Sequence, residues 1–209
     1  DITETEDELI VHYIDVGQGD SILIQFPDEK VALIDGGTRE AGEKVVSYIR
    51  SLGLKRIDYL IATHPHEDHI GGLPGVVRNF DIGKIYMPNK TANTKIFEEL
   101  LTEIKNKGLN ITLVDGFDTI IDEDNIRFVI LGPNGKDYSE TNDYSIVTKL
   151  EYGENSFIFT GDMEREAEIE LIENGYDLKS DVLKVGHHGS STSSSEEFLK
   201  EVDPDYSVI

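Results

Sequence analysis

The chain has 209 residues, which suits one domain with a sizeable core. It contains no cysteine, which excludes disulfides, thiolate zinc sites and a cysteine nucleophile. With 19 basic and 42 acidic residues, its formal net charge of -23 repels polyanions at long range, and no apolar run approaches the roughly 20 residues that span a bilayer.

The chain divides by composition into a short tail and one domain. Residues 1–8 are polar and acidic and are predicted to be an N-terminal tail, whereas residues 9–209 are predicted to form one globular domain. The start lacks the charged and apolar segments of a signal peptide. The last predicted strand reaches the final residue, Ile209, so we expect the domain to continue beyond it.

Short strands rich in Ile, Val and Leu alternate along the chain with helical patterns. The predicted strands are at 9–16, 21–26, 30–34, 57–62, 84–87, 111–114, 118–121, 126–131, 144–152, 156–160, 182–185 and 206–209. The predicted helices are at 41–52, 73–80, 94–107, 163–173 and 195–201. This order predicts an α/β (α+β) fold, a four-layer αββα sandwich of two mixed sheets with outer helices.

A cluster of histidines follows the apolar strand predicted at 57–62, in a predicted loop. Three imidazoles and one carboxylate fall within residues 64–69: His64, His66, Asp68 and His69. Imidazole and carboxylate groups are ligands that Zn²⁺ and similar ions prefer. Because all four side chains follow one strand end, we interpret them as metal ligands in preference to incidental residues of a polar loop.

Two further strand ends carry side chains that can bind a metal. Asp162 follows an apolar strand and Gly161, where its carboxylate could bridge two metals or, alternatively, cap the next helix. His187 and His188 follow the strand at 182–185 and lie between two glycines. Five of the six histidines thus lie in two strand-end clusters, whereas His12 lies within a predicted strand and is interpreted as structural.

Several of these stretches together match one known family. His-x-His-x-Asp-His at 64–69, Asp-Val-Gly-Gln-Gly-Asp-Ser at 15–21 and Gly-His-His-Gly-Ser at 186–190 are the most specific, and further matches lie at 33–37, 142–145 and 160–162. On these residues the chain resembles the metallo-β-lactamase superfamily and, within it, the β-lactamase-like domain of ComEC competence proteins. The resemblance spans residues 12–190, and it implies the same αββα fold.

The resemblance also implies a binuclear metal centre with a role for each ligand. The implied ligands are His64 and His66 for the first metal, Asp68, His69 and one of His187 and His188 for the second, and Asp162 between the two. His188 is preferred to His187 because it directly precedes Gly-Ser. Asp68 and Asp162 are the implied catalytic residues.

One position departs from much of the superfamily. A further histidine for the first metal is expected between the histidine cluster and Asp162, but the matching region holds Asn142 and Asp143, as in the ComEC branch. A site with fewer imidazoles and more oxygen ligands tolerates Mn²⁺ better. The expected cofactors are therefore two divalent metal ions, Zn²⁺ or Mn²⁺.

Other side chains near the predicted site are candidates for supporting roles. Asp35 ends a strand and could hydrogen-bond a ligating histidine, whereas Asp15 and Asp20 are interpreted as structural. Lys184 could assist a leaving group. The hydroxyl groups of the serine-rich run at 190–195 could contact phosphate, or this run could simply be a polar loop.

The resemblance implies a metal-dependent hydrolase, specifically a phosphodiesterase or nuclease-like domain that acts on DNA alongside domains outside this chain. The charge of -23 argues against autonomous DNA binding. The alternatives are hydrolysis of a smaller phosphodiester such as a phosphorylcholine-type cell-wall ester, β-lactam hydrolysis, and an inactive metal-binding assembly module. An extracellular position, or one at the outer face of the cell membrane, is expected and agrees with the lack of cysteine; a cytoplasmic position stays open.

Overall fold

The computed structural model describes residues 8–123, 125–135 and 137–209. The chain forms two compact units: residues 8–86 with 91–112, and residues 87–90 with 113–209. The predicted acidic tail at 1–8 lies outside the described residues except for Glu8. One domain over 9–209 stays a prediction.

Six strands form the first sheet, in the spatial order β1 to β6. They are β1 (Ile10–Tyr13), β2 (Ile22–Gln25), β3 (Val31–Ile34), β4 (Arg56–Ile61), β5 (Asp81–Pro88) and β6 (Ile111–Val114). The first three strands pair antiparallel, whereas β3 with β4 and β4 with β5 pair parallel. Because Ile34 and Ile61 are register partners at the ends of parallel strands, the residues that follow them emerge at one sheet edge.

Four helices accompany the first sheet: α1 (Gly42–Ser51), α2 (Glu67–Ile70), α3 (Leu73–Asn79) and α4 (Lys95–Asn106). In α1, the buried residues Val45, Val46 and Ile49 recur at helical spacing and form its apolar face. At the start of α4, the Thr94 hydroxyl accepts a hydrogen bond from the Phe97 N–H and so satisfies one unpaired backbone donor.

Six strands also form the second sheet, in the spatial order β12-β11-β10-β9-β8-β7. They are β7 (Asp118–Glu123), β8 (Ile126–Gly132), β9 (Val147–Tyr152), β10 (Asn155–Phe159), β11 (Val182–Lys184) and β12 (Tyr206–Val208). β7 to β10 are antiparallel neighbours, and β10, β11 and β12 are parallel. Phe159 and Lys184 are register partners at the ends of parallel strands, so the turns after β10 and β11 begin at the same end of the sheet.

The second unit also contains α5 (Arg165–Glu173), α6 (Glu196–Val202) and two short 3₁₀ helices, Asn142–Tyr144 and Gly186–Gly189. Its core joins the sheet to both helices through buried apolar side chains that include Val129, Ile158, Leu171, Leu183 and Phe198. The burial of this apolar surface is the main force that holds the sheet and the two helices together.

The strands and helices predicted from the sequence are present, with ends that differ by a few residues. The predicted loop at the histidines is wrong over Glu67–Ile70, which is the single turn of α2. The strand predicted at 144–152 begins only at Val147, because Asn142–Tyr144 is helical. A helical turn this short has no apolar period, so the sequence pattern does not reveal it.

Among the described residues, no helix has both the length and the apolar character that crossing a bilayer requires.

Candidate functional site

The first ligand cluster consists of His64, His66, Asp68 and His69, which follow β4. His64 and His69 are buried, whereas His66 is exposed and Asp68 is half-buried. The ring centroids of His64 lie 4.7 Å from His66 and 4.3 Å from His69, and Nε2 of His69 lies 4.0 Å from Oδ2 of Asp68. The structure therefore brings these four predicted ligands together in the first unit.

Two imidazole nitrogens in this cluster face each other at a spacing that suits a metal. Nε2 of His64 lies 3.0 Å from Nδ1 of His66. Two nitrogen ligands of one tetrahedral Zn²⁺, bound by bonds of about 2.0–2.1 Å, are themselves about 3.3 Å apart, which is close to this distance. The pair therefore fits a shared divalent ion.

Asp35, directly after β3, holds two histidines of the first ligand cluster in orientation. It is fully buried, and its Oδ2 accepts hydrogen bonds from His69 Nδ1 at 2.7 Å and from the Thr63 hydroxyl at 2.6 Å. The Thr63 oxygen in turn lies 3.1 Å from Nδ1 of His64. Because both Nδ1 atoms are engaged as donors, the Nε2 lone pairs of both rings are available to a metal. The expected hydrogen bond between Asp35 and a histidine is thus present, with His69 as the donor.

The electrostatic state of Asp35 reflects two opposing effects. Burial raises the pKa of its carboxyl above the ordinary value, because the charged form is desolvated. The neighbouring His69 and the hydrogen bonds from His69 and Thr63 act in the opposite direction. Burial is the largest of these effects, so the pKa of the Asp35 carboxyl stays above its ordinary value, and the contacts with His69 and Thr63 limit the rise.

A glycine turn supports the backbone of Asp68. Gly19 has a φ of 107°, and a Cβ there would lie 1.9 Å from the Asp68 carbonyl oxygen. The next residue, Asp20, donates its backbone N–H to the same oxygen at 3.3 Å. Only glycine allows this approach, which gives a physical role to the Gly-Gln-Gly-Asp stretch that the sequence analysis left without one.

The second ligand cluster consists of Asn142, Asp162, His187 and His188, all in the second unit. Asp162 is 2% exposed, and its backbone N–H donates to the Ser145 hydroxyl at 3.1 Å. Its Oδ1 lies 3.3 Å from Nε2 of His188, and its Oδ2 lies 3.9 Å from Nε2 of His187. The turns after β10 and β11 thus bring an acidic and two basic side chains together.

The two consecutive histidines have different surroundings. Both residues adopt left-handed backbone conformations, with φ of 46° for His187 and 51° for His188. Nδ1 of His187 lies 2.9 Å from Oε1 of Glu164 and 3.1 Å from the Thr192 hydroxyl. His188 has the shorter distance to Asp162, so its geometry is the better match to a ligand that accompanies Asp162.

Asn142 and Asp143, the two alternatives in the 3₁₀ helix, are also distinguished by their contacts. Oδ1 of Asp143 accepts the backbone N–H groups of Glu164 at 3.0 Å and Ala167 at 3.1 Å, and so caps α5. Burial raises the pKa of the Asp143 carboxyl, and these two hydrogen bonds oppose the rise. The Asn142 amide donates to Glu164 at 2.9 Å, while its Oδ1 is buried and has no hydrogen-bond partner within the described part of the chain. An unpartnered oxygen of this kind suits a metal ligand.

The remaining candidates have structural contacts. His12 lies 2.9 Å from the Tyr48 hydroxyl and 2.8 Å from Oε1 of Gln25. Asp15 pairs with an exposed lysine, Lys44, at 3.0 Å. Lys184 donates from Nζ to the Val185 carbonyl at 3.0 Å.

The serine run is anchored at its C-terminal end. The backbone N–H groups of Ser194 and Ser195 both donate to the carboxylate of Glu168, which is 1% exposed. The Ser193 hydroxyl donates to the Gly186 carbonyl at 2.7 Å. The Ser190 and Thr192 hydroxyls are 3.0 Å apart. Glu164 and Glu168 were not predicted from the sequence, because neither lies in a metal-ligand pattern.

The donors of the two clusters suit divalent metals. They are imidazole nitrogens and carboxylate and amide oxygens, which are the ligand types of Zn²⁺ and Mn²⁺. In the first unit Asp68 and His69 offer such donors, and in the second unit Asp162 and His188 offer them. A group of buried carboxylates and neutral imidazoles also gains from a cation, because a buried charge without a counter-charge is costly.

Sequence comparison defines the class of protein. A profile of the metallo-β-lactamase superfamily matches residues 14–209. The chain therefore belongs to the metallo-β-lactamase superfamily, whose members are mostly metal-dependent hydrolases with a dinuclear metal site.

Among characterised relatives, the chain is similar to competence proteins. It is 34% identical to ComE operon protein 3 of Bacillus subtilis over 95% of its own length, and 31% identical to competence protein ComA of Neisseria gonorrhoeae over 97%. These matches span 28% and 27% of the two relatives, so the chain corresponds to about a quarter of each.

Comparison with solved structures confirms the predicted fold class, two mixed sheets with helices. CmlA, a diiron β-hydroxylase from Streptomyces venezuelae, matches with a TM-score of 0.57 at 17% sequence identity, over 96% of this chain and 44% of CmlA. At this identity the likeness shows the fold alone, because one fold can support several chemistries.

Proposed function

We propose that the chain is a metal-dependent phosphodiesterase domain of the ComEC type, which acts on DNA with two divalent metal ions. The observation that carries the proposal is the 3.0 Å spacing of the His64 and His66 nitrogens, beside a His69 that Asp35 already orients. Imidazoles that a hydrogen-bonded neighbour orients in this way favour a functional site over incidental histidines.

The ligand types of the two clusters match those of the binuclear centre that is usual in the superfamily. The proposed ligands are His64, His66 and Asn142 for the first metal, Asp68, His69 and His188 for the second, and Asp162 between them. Such a centre supplies Lewis-acid chemistry, which lowers the pKa of water and neutralises charge on phosphoryl oxygens.

The protein's own groups would orient these ligands and hold protons at defined atoms. Asp35 and Thr63 keep the protons of His69 and His64 on Nδ1. Ser145 fixes the turn that carries Asp162, and Glu164 holds Nδ1 of His187. We therefore assign His187 to a supporting position and not to the metal.

The ligand types bear on the choice of metal. An amide oxygen from Asn142 in place of an imidazole makes the first site richer in oxygen, which suits Mn²⁺ better than a site of histidines alone. We accordingly propose that Mn²⁺ supports activity at least as well as Zn²⁺.

The proposal also names a specific substrate, DNA. It is supported by the similarity to competence proteins and by the ComEC-type motifs. The charge of -23 opposes tight binding of a polyanion, so the affinity would come from other parts of a longer protein. An extracellular or outer-face position belongs to the same proposal.

A second candidate is an inactive module that binds metal and supports assembly. The observation that favours it is Asn142, which stands where much of the superfamily has a histidine. Hydrolysis of a smaller phosphodiester is another enzymatic alternative, and it would depend less on salt than cleavage of DNA.

The proposal is tested by metal analysis paired with an activity assay. Metal content and cleavage of a chromogenic phosphodiester are measured with added Mn²⁺ or Zn²⁺ for wild type, His66→Ala and the control His12→Ala. We expect two metals per chain and metal-dependent cleavage, both reduced in His66→Ala and retained in His12→Ala. Two bound metals with no cleavage of any phosphodiester, DNA included, would favour the inactive module. Absence of metal would refute both.

A further inference from the structure

Lys90 and Tyr144 form a cation–aromatic pair in the second unit. Nζ of Lys90 lies 4.2 Å from the centroid of the Tyr144 ring, within the range of a cation–π interaction. The backbone N–H of Lys90 donates to the Pro88 carbonyl at 2.7 Å. The Tyr144 ring also packs edge-to-face against Tyr138, with 5.1 Å between the ring centroids. The ammonium group and the ring therefore both have defined positions.

Tyr144 lies beside the second ligand cluster. It ends the 3₁₀ helix that contains Asn142, and both of its chain neighbours bond to the turn that carries Asp162. Asp143 accepts the backbone N–H of Glu164, and Ser145 accepts that of Asp162. The pair formed with Lys90 is thus connected to the Asp162 turn by two hydrogen bonds.

Lys90 also differs from most other cations of this unit. Four of them form salt bridges with carboxylates: Arg127, Lys149, Arg165 and Lys179. Lys184 is buried and donates to a backbone carbonyl. Lys90, by contrast, is half-buried and forms no salt bridge with any residue that the structure describes. Its positive charge is available to a ligand.

The adjoining cavity indicates where such a ligand would not bind. Tyr144 borders a cavity of about 110 Å³ that is also lined by the carboxylates of Asp115 and Asp137. These two charges would repel an anion, and Lys90 is not among the residues that line the cavity. An anionic group is therefore expected at the Lys90 ammonium, outside this cavity.

We propose that Lys90, held by the Tyr144 ring, binds a phosphate group of the substrate beside the second ligand cluster and so determines specificity for phosphoesters. This inference rests on the proposed function, since it assigns a phosphate-binding residue to the same site. In a chain with 42 acidic residues, an ammonium that forms no salt bridge among the described residues would offset local repulsion of a phosphate.

The test measures binding of inorganic phosphate to the Mn²⁺-supplemented protein by calorimetry, for wild type and Lys90→Met. The control is Lys200→Met, which removes an exposed lysine of α6 and changes the net charge equally. Since a hydrogen bond to a charged group contributes about 1.5–3 kcal/mol, we expect Lys90→Met to weaken phosphate binding about tenfold or more. Lys200→Met should bind as wild type does.

Two further variants test the part played by the ring. Tyr144→Phe keeps the aromatic face and should bind phosphate as wild type does, whereas Tyr144→Leu should weaken binding a few-fold. Circular dichroism of each variant checks that the fold is kept. Equal weakening by Tyr144→Phe and Tyr144→Leu would overturn the role of the aromatic face.

The outcomes separate this inference from the proposed function. Unchanged phosphate binding in Lys90→Met, or no phosphate binding by wild type, would overturn the role of Lys90 even if phosphodiesters are cleaved. Phosphate binding that depends on Lys90, without cleavage of any phosphodiester by the same sample, would keep the phosphate site and refute the proposed activity.

Discussion

The substitution Asp35→Asn tests whether a buried carboxylate determines which nitrogen of a histidine can bind metal. Oδ1 of Asp35 accepts the Thr63 backbone N–H at 2.8 Å, and Oδ2 accepts from the Thr63 hydroxyl and from His69 Nδ1. The backbone N–H is a donor only, so the introduced asparagine must keep its oxygen at the Oδ1 position. Its NH₂ group then replaces Oδ2 and faces His69.

The expected magnitude follows from this forced orientation. The NH₂ group at the Oδ2 position can donate one proton to the Thr63 hydroxyl oxygen, but beside His69 it meets the Nδ1 proton. This contact becomes a hydrogen bond only if Nδ1 becomes an acceptor, which moves the ring proton to Nε2 and removes the lone pair that would bind metal. Loss of a partner of this kind typically costs 10–100-fold in metal affinity. Because the asparagine side chain can still hydrogen-bond both neighbours, we expect the free energy of unfolding without metal to change by less than about 2 kcal/mol.

The assay is competition for Mn²⁺ or Zn²⁺ against a chelator, combined with urea unfolding of the metal-free protein. Asp58→Asn is the matched control, because Asp58 accepts the Val31 backbone N–H at 3.0 Å in the same sheet but contacts no proposed ligand. Asp58→Asn should lose some stability and keep wild-type metal affinity. Wild-type metal affinity in Asp35→Asn would refute the reasoning about the His69 proton.

Three further predictions concern single residues. His188→Ala should lower the metal content by about one ion per chain while His187→Ala keeps it, as measured by elemental analysis; the reverse pattern would assign the ligand to His187. Asp143→Asn keeps the oxygen that caps α5 and removes a buried charge, so its free energy of unfolding at pH 7 should be at least that of wild type. Asp143→Ala loses this oxygen, and its free energy of unfolding should fall by about 1–2 kcal/mol. A lower metal content in Asp143→Asn would instead identify Asp143 as a metal ligand. Burial raises the pKa of Tyr13 to about 12 from 10.0, because the folded state favours the neutral hydroxyl. The contribution of this pKa difference to the free energy of unfolding is therefore complete below pH 10 and is lost as the pH rises through 12. Tyr13→Phe should therefore unfold with a shallower loss of stability between pH 9 and 12, and an unchanged slope would contradict the raised pKa.

The sequence predicted those elements whose composition alone determines them. Val31–Ile34 is entirely buried and consists of Val, Ala, Leu and Ile, so it was identified as a strand without knowledge of its partners. Tyr144, by contrast, was predicted to start a strand. Its neighbour Asp143 accepts backbone N–H groups 21 and 24 residues further along, and a local pattern contains no information about such contacts.

In the candidate site, too, some residues were predictable from the sequence and others were not. The residue types that bind metals were recognisable because three histidines and an aspartate rarely fall so close together by chance. The supporting contacts were not recognisable, since Glu164 meets His187 across 23 residues and Ser145 meets Asp162 across 17. Their partners become neighbours only when β9, β10 and β11 pair in register.

The hairpin of β9 and β10 fixes the spacing between two parts of the second ligand cluster. Asn142 lies before its first strand and Asp162 after its second, while antiparallel pairing from Asn155–Tyr152 to Phe159–Thr148 fixes the length between them. The far tip, at the exposed residues Gly153 and Glu154, lies at the opposite end of the hairpin from both. A fluorescent label or affinity tag inserted at this tip would therefore leave the spacing of the cluster unchanged, whereas one extra residue within either strand would shift it.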